Sequence, residues 1–118
     1  MNRKFRLTKS TDFMRVRRSG KSYAHPLVVL VILPNDRGKT IFAISAGRSL
    51  GNAVIRNQAK RVLREIIRPL LPELVPGWDV VVLARKPMAA ASFQEVQAAL
   101  HLLMKRSNLL RVPDGIRS

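Results

Sequence analysis

The sequence has no cysteine among its 118 residues, and it has only seven acidic side chains against 22 lysines and arginines. Without cysteine the chain can form neither disulfides nor thiolate metal sites, so nothing in it points to an oxidising compartment. Long hydrophobic runs are also missing, since the longest, from Leu27 to Leu33, is far shorter than the ~20 residues that span a bilayer. The basic N-terminus is not followed by the apolar core of a signal peptide. These absences predict a cytoplasmic protein.

Positive charge is the most pronounced feature that the sequence does have. The formal net charge is +15 and the pI is near 11.8, a balance that attracts polyanions such as nucleic acid or an anionic membrane surface. Arginines outnumber lysines by 15 to 7, which favours bidentate phosphate contacts and stacking on exposed bases. Hydrophobic residues make up 47% of the chain, enough for one domain over residues 1–118. Within it we expect a flexible basic N-terminus over residues 1–8 and a disordered tail over about 112–118.

The stretch from Gly51 to Arg68 predicts an amphipathic helix with a cationic polar side. At ~100° per residue the apolar side chains fall on one arc roughly 140° wide. These side chains are Ile55, Ala59, Val62, Leu63, Ile66, Ile67 and Leu70. The opposite side carries Arg56, Lys60, Arg64 and Arg68 at i, i+4 steps, with Arg61 beside them and Glu65 as the single nearby acid. Like charges at this spacing repel each other, so the pattern favours an anionic partner over an exposed charged helix without a ligand.

The ends of this helix carry recognisable signals. Asn52 follows Gly51 and is a plausible N-cap, because its short side chain can accept a hydrogen bond from the first turn. Pro69 limits the helix at the other end. Pro69, Pro72 and Pro76 make the following segment irregular, with at most a short turn around residues 70–74.

A second, shorter helix is predicted from about Lys9 to Arg18, ending at Gly20. Phe13 and Val16 lie on its apolar side, and a helix this short must be held by packing. Phe13 is interpreted either as a partly buried anchor or as an aromatic ring at the edge of an RNA groove.

Strands are predicted on both sides of the basic helix. Residues 22–33 favour a strand interrupted or bent at His25-Pro26, because proline cannot donate to a central ladder. Its apolar part, residues 27–33, lacks alternation and therefore predicts cover on both faces. Turn chemistry at residues 34–38 indicates that residues 40–45 return as the second arm of a hairpin.

The C-terminal part predicts one more strand and one more helix. Trp78 to Ala84 is an apolar strand, and Ser92 with Glu95 has the spacing of a capping box. The stripe of the last helix consists of Val96, Leu100, Leu103 and Met104. The chain is thus expected to be an α+β sandwich with a mixed sheet of about four strands and three main helices, in the order α-β-β-β-α-β-α.

Catalytic groups are hard to assemble from this sequence. His25 and His101 are the only histidines, and no Ser-His-Asp arrangement, metal-ligand cluster or phosphate-binding glycine loop is present. The carboxylates are scattered along the chain: Asp12, Asp36, Glu65, Glu73, Asp79, Glu95 and Asp114. Asp12 and Glu65 are expected to cap or to pair with neighbouring arginines. We therefore expect no catalytic residue and no metal or other cofactor bound by this chain.

The central motif nevertheless resembles a known family. Ala53-Val-Ile-Arg-Asn57, followed by Lys60-Arg61 and Arg64-Glu65, is similar to the signature of the bacterial ribonuclease P protein subunit. The flanking residues agree in order and spacing from about Arg6 to Arg106, including Asp12-Phe13, Gly51-Asn52 and Ala84-Arg85 before Pro87.

The resemblance implies a subunit that joins a catalytic RNA and assists its removal of the 5′ leader from precursor tRNA. The expected partners are that RNA and precursor tRNA, with no membrane and no small-molecule substrate, and the Mg²⁺ requirement belongs to the RNA. The resemblance also implies an unusual left-handed βαβ crossover, although such connections are right-handed in roughly 98% of cases. The family shares this fold with a domain of a ribosomal protein.

Site residues follow from the resemblance position by position. Contacts to the catalytic RNA are implied for Arg48, Asn52, Arg56, Asn57, Lys60, Arg61, Arg64 and Arg68. A cleft for the single-stranded leader is implied for Phe13, Val16, Arg17 and Leu30. Leu30 could equally be core, and Asn57 could mainly organise the helix. The chain departs from the family pattern at Gln58, where an arginine is usual, at Ser49, where a second cation often stands, and at Arg17, where many members carry an aromatic.

Two alternatives remain open at this point. A ribosomal or other structural RNA-binding protein would show the same charge and fold class. A self-sufficient nuclease would show metal-dependent cleavage by protein free of RNA.

Overall fold

The structure is a computed structural model that describes residues 10–110, with side chains from Phe13 onward. The elements in chain order are α1 Ser10–Ser19, β1 Lys21–Ala24, β2 Val28–Pro34, β3 Ile41–Ala46, α2 Ala53–Ile67, β4 Trp78–Ala84 and α3 Phe93–Arg106. Short 3₁₀ turns cover Arg48–Leu50, Arg68–Glu73 and Lys86–Ala90. The predicted order of three helices and four strands is confirmed. The predicted flexible N-terminus and disordered tail lie outside the described residues.

The four strands form one mixed sheet in the order β1-β2-β4-β3. β2 pairs antiparallel with both β1 and β4, whereas β3 and β4 are parallel. The predicted hairpin between residues 27–33 and 40–45 is therefore wrong, because β4 lies between β2 and β3. Turn residues show that the chain leaves a strand, but the strand it pairs with next depends on distant parts of the chain.

The hairpin that the structure does contain joins β1 to β2 at His25-Pro26. The backbone N–H of His25 donates to the Val28 carbonyl at 2.9 Å, and the Leu27 N–H donates to His25 Nδ1 at 3.0 Å. The chain thus reverses direction where the sequence predicted only an interruption or a bend.

The hand of the β3-α2-β4 crossover follows from the hydrogen bonds of β4. The N–H of Arg85, just after β4, donates to the Leu27 carbonyl, just before β2. The odd-numbered residues of β4 therefore direct their backbone N–H and C=O groups toward β2. The even-numbered residues direct theirs toward β3. The side chains of Val80 and Val82 face α2. Consider a strand of L-residues that runs upward on the page. A residue whose side chain points toward the viewer then has its own N–H and C=O directed to the viewer's right. Viewed from α2, β3 therefore lies to the right of β4, and the crossover is left-handed.

Helices cover both faces of the sheet, as the unbroken apolar pattern of β2 predicts. Val28, Leu30 and Ile32 point toward α2 and α3, in a large cluster with Phe42, Leu63, Leu100 and many other buried side chains. The next residues along the strand point the other way, where α1 contributes Val16 to a small buried cluster with Val31 and Val81. The core is therefore thick on one face and thin on the other.

Local signals define the helix ends. The Asn52 side chain accepts the Ile55 N–H at 3.1 Å, and α2 ends at Ile67, just before the 3₁₀ turn that contains Pro69. Ser92 and Glu95 form the predicted capping box of α3, with hydrogen bonds of 2.9 and 3.1 Å. The backbone and side-chain hydrogen bonds from Ser92 lower the pKa of Glu95.

Gly20, between α1 and β1, permits a close approach of these two elements. A Cβ at this position would lie 2.6 Å from the Val16 carbonyl oxygen and 2.7 Å from that of Ile32. Any side chain would push the end of α1 away from the sheet.

Candidate nucleic-acid interface

The cations of α2 form a row along one flank of the helix. This cationic flank consists of Arg56, Lys60 and Arg64, all half-buried, whereas Arg61 and Arg68 are exposed. The sequence predicted the row opposite the apolar arc. The structure instead places it beside the core, because the i, i+4 step advances by about 40° around the axis and Arg56 starts close to the buried side. Neighbouring residues therefore cover part of each of these side chains.

Arg56 is the most constrained member of the cationic flank. Its Nε atom is buried and has no hydrogen-bond partner within the part of the chain that the structure describes. A buried donor without a partner is costly, by about 1–3 kcal/mol. A phosphate or another acceptor at this point would remove that cost.

The single acid of α2 pairs away from the cationic flank. Glu65 Oε1 lies 3.3 Å from Arg61 Nε, an i, i+4 pair between two exposed side chains. Such pairs contribute little to stability. The expectation that Glu65 pairs with a neighbouring arginine is confirmed, and no carboxylate among residues 13–110 is within ion-pair distance of Arg56, Lys60 or Arg64.

The predicted RNA contacts around the start of α2 occupy exposed positions. Arg48 lies in the 3₁₀ turn before the helix, and Asn57 lies on the exposed side of α2. Asn52 is exposed as well, but its side-chain oxygen is engaged as the N-cap. Its role in shaping the first turn is therefore visible in the structure, and its contact with RNA stays a prediction.

Only half of the predicted leader cleft has accessible side chains. Phe13 is half-buried on α1 and Arg17, one turn later, is exposed. Val16 and Leu30 are fully buried, so neither side chain can touch an RNA strand in this conformation. The assignment of these two residues to the cleft surface is wrong: Val16 packs α1 onto the sheet, and Leu30 points to the opposite face, toward α2 and α3.

Sheet residues other than the predicted Leu30 border α1. Val29, Ala43 and Leu83 are half-buried against the α1 side of the core. Because side chains alternate along a strand, Leu30 and Val29 face opposite sides. In a strand that is apolar on both faces, the sequence gives no signal for which of the two faces α1.

A polar cluster that the sequence analysis missed holds α1 against the sheet. Asp79 is fully buried in β4, and its carboxylate accepts a hydrogen bond from Arg15 of α1. Asn35 Nδ2 donates to Asp79 Oδ1 at 2.9 Å, and Arg37 Nε lies 3.8 Å from the same oxygen. An aspartate inside an otherwise apolar strand was the available signal, since buried carboxylates are almost always paired.

Metal sites and membrane spans are a separate question for residues 10–110. No three histidine or acidic side chains with described positions come together as a metal site would require. No helix in this region has the length and apolarity to cross a membrane.

Known proteins are similar to this chain in both sequence and architecture. A sequence profile of the family described as Ribonuclease P matches residues 1–108. The ribonuclease P protein component of Roseiflexus sp. (strain RS-1) is 35% identical over 119 residues, covering 100% of this chain and 98% of its own length. That of Bacillus cereus (strain AH820) is 34% identical over 118 residues and covers 99% of each chain.

Solved structures extend the likeness to the fold. The RNase P protein of Staphylococcus aureus superposes with a TM-score of 0.82 at 28% identity, covering 91% of this chain and 98% of that chain. The protein from Thermotoga maritima gives a TM-score of 0.78 at 31% identity, covering 86% and 96%. The resemblance read from the α2 motif is thereby confirmed across nearly the whole chain, which belongs to the ribonuclease P protein family.

Proposed function

We propose that this protein binds the catalytic RNA of ribonuclease P and assists that RNA in removing the 5′ leader from precursor tRNA. The observation that carries the proposal is the cationic flank of α2, three cations one turn apart, while the one acid within α2, Glu65, pairs with Arg61 instead. A row of this kind matches the regular phosphates of a folded RNA, which is recognised mainly through its backbone and shape. The wider contact surface comprises Arg48, Asn52, Arg56, Asn57, Lys60, Arg61, Arg64 and Arg68.

The leader of precursor tRNA binds at the α1 face of the sheet in this proposal. Phe13 offers a partly exposed ring and Arg17 an exposed guanidinium, the combination on which unpaired bases and their phosphates rest. Half-buried Val29 and Leu83 extend this surface onto the sheet. Val16 and Asp79 act beneath it by fixing the position of α1.

The chemistry is assigned to the RNA, which binds the required Mg²⁺, and the protein contributes charge. Asp79, the one fully buried carboxylate among residues 13–110, is engaged by arginines and an asparagine, a setting unlike that of a metal ligand. His25 Nδ1 accepts a backbone hydrogen bond and thereby shapes the β1–β2 turn. A protein of net charge +15 between two RNAs reduces their mutual repulsion.

The experiment that tests the RNA interface is a salt titration of affinity for the catalytic RNA. Replacing Arg56, Lys60 and Arg64 together by alanine should weaken binding, and each lost phosphate contact should lower the log–log salt slope by roughly 0.7–0.9. The matched control replaces Lys39, Lys105 and Arg106, three exposed cations outside the proposed surface, and removes the same charge. An unchanged slope with the fold intact, or an equal loss in the control, would contradict the proposal.

A second experiment tests whether the RNA or the protein carries out the cleavage. Protein purified free of RNA should cleave no precursor tRNA with or without Mg²⁺, whereas the complex should work at lower salt and lower Mg²⁺ than the RNA alone. His25→Ala and His101→Ala should leave the cleavage step unchanged. Cleavage by RNA-free protein, abolished by one substitution that spares RNA binding, would instead identify a nuclease.

A further inference from the structure

A surface groove runs along the other flank of α2, opposite the cationic one. It has a volume of about 590 Å³ and lies between α2, the 3₁₀ turn Lys86–Ala90 and the start of α3. This α2–α3 groove is lined by Val54, Ile55, Gln58, Val62, Met88 and Phe93, among others. Its volume lies in the ~300–1,000 Å³ range of sites that take small organic groups.

The α2–α3 groove exposes apolar side chains to solvent. Val54 is 76% exposed, Ile55 40% and Phe93 38%. Single exposed apolar residues are ordinary on protein surfaces, but several that line one concave site mark a place for a ligand or partner.

The walls of the groove are fixed in place before anything binds. An added Cβ at Gly51 would lie 2.8 Å from Ile55 Cδ1, so the absence of a side chain there lets Ile55 pack closely over the backbone. Gly51 has a φ of 141°, which L side chains rarely adopt. On the other wall, the capping box of Ser92 and Glu95 fixes the first turn of α3, where Phe93 lies. A preformed wall costs less free energy on binding than one that must be ordered.

The side chains of the groove offer no cation to a phosphate. No lysine or arginine lies among the described residues that line it, and its one charged lining residue is Glu65. In a chain of net charge +15 this is a local exception. An apolar group without negative charge suits this lining, and the ring of an unpaired nucleobase is such a group.

We propose that the α2–α3 groove receives an unpaired base of the catalytic RNA whose backbone lies on the cationic flank. This inference rests on the proposed function, because it takes RNA as the partner. The two sites occupy opposite flanks of one helix, about 10–12 Å across, so adjacent parts of one RNA can reach both. Phe93 provides an aromatic surface for the base. Gln58, exposed at the groove, has the amide donor and acceptor that recognise a base edge.

The test compares variants by their affinity for the in vitro transcribed catalytic RNA across a range of salt. Val54→Ser with Phe93→Ala should weaken binding about tenfold and leave the log–log salt slope unchanged, because stacking releases no counterions. Gln58→Ala should weaken it about fivefold. The matched control is Leu102→Ala on α3, 42% exposed and outside the groove, which should bind like the wild type.

Chemical probing identifies the base. Dimethyl sulfate should show at least one unpaired adenine or cytosine that is protected by the wild type and by Leu102→Ala but reactive with the Val54→Ser/Phe93→Ala variant. Circular dichroism melting establishes that the variants are folded. Equal affinity of the groove variant and the control, or identical protection by both, overturns the inference.

Two further outcomes separate this inference from the proposed function. If the triple alanine variant of the cationic flank lowers the salt slope while the groove variants bind normally, only the inference about the groove fails. If the groove variants bind RNA normally but abolish a dimer that the wild type forms in sedimentation, the groove is a contact between copies of the chain and the inference is overturned.

Discussion

The two faces of the sheet are packed very differently. On the α2/α3 face, large side chains such as Phe42, Leu63 and Leu100 are fully buried in one continuous cluster. On the α1 face, the buried side chains are fewer: Val16, Val31, Ile41, Val81 and the polar Asp79, while the surrounding apolar residues remain half-exposed. Apolar burial is the main source of stability, so the first face contributes most to the stability of the fold, and the second leaves part of its apolar surface exposed.

On the α1 face, a polar tether supplements the limited apolar packing. This tether consists of the contacts that Asp79 makes with Arg15, Asn35 and Arg37. Among the α1 side chains that the structure describes, from Phe13 onward, Val16 alone is completely buried, so packing by itself stabilises this short helix only weakly. The buried carboxylate of Asp79 binds Arg15 of α1 and also contacts Asn35 and Arg37 after β2. Hydrogen bonds to a charged group are directional. They therefore hold α1 on the sheet and also fix its position there. The position of α1 in turn sets the positions of the proposed cleft residues Phe13 and Arg17.

The largest expected effect lies in the thick face. Leu63→Ala should lower the free energy of unfolding by about 3–4 kcal/mol, because it removes a fully buried side chain and leaves a cavity. Urea denaturation followed by circular dichroism measures it. Leu102→Ala, the same change at an exposed site, should cost far less. Similar losses for the two variants would refute the view that this face carries most of the stability.

Loss of the polar tether should have the second-largest effect on the free energy of unfolding. Asp79→Ala should cost about 2 kcal/mol, less than a fully buried pair would, because both arginine side chains are about two-fifths exposed. Asp36→Ala, which removes an exposed carboxylate nearby, should be close to neutral. If Asp79 positions α1, hydrogen exchange should accelerate in α1 more than in α2 or α3. Uniform acceleration would show that the tether serves the whole fold alike.

A smaller effect is expected from the thin face itself, and it should appear in binding. Phe13→Ala should reduce the affinity of the holoenzyme for precursor tRNA by about 1–2 kcal/mol if a leader base stacks on the ring. Affinity for mature tRNA, which has no leader, provides the control. Equal losses for both RNAs, or unfolding of the variant, would show that Phe13 is a packing anchor only.

The smallest effect concerns the cap of α3 and depends on pH. The pKa of Glu95 is lowered in the folded state, so the folded protein binds fewer protons there than the unfolded chain. Its contribution to stability is present above the ordinary glutamate pKa near 4.5 and is lost as the pH falls through the lowered value. The stability difference between wild type and Glu95→Ala, measured by urea denaturation, should therefore shrink between pH 7 and pH 3. A difference that is constant with pH would rule out the charged form as the cap.

The sequence by itself determined the helices and the family. Asn52, Pro69 and the Ser92–Glu95 pair act within a few residues of their own position, so the limits of α2 and α3 could be predicted from local chemistry. The cations of α2 are likewise readable from their spacing. Periodicity placed Phe13 and Val16 on the packed side of α1 but could not tell a half-exposed ring from a buried side chain.

Only the tertiary structure decided which strands pair, which face each residue serves and what Asp79 binds. β4 separates β2 from β3, and Leu30 belongs to the face opposite the cleft, because strand order and sheet face depend on packing between elements far apart in the chain. Arg15 and Asp79 are 64 residues apart, so their contact leaves no local pattern. The groove beside the cationic helix is a property of the same kind, since α2 and α3 each supply one wall and neither segment alone reveals that the two will meet.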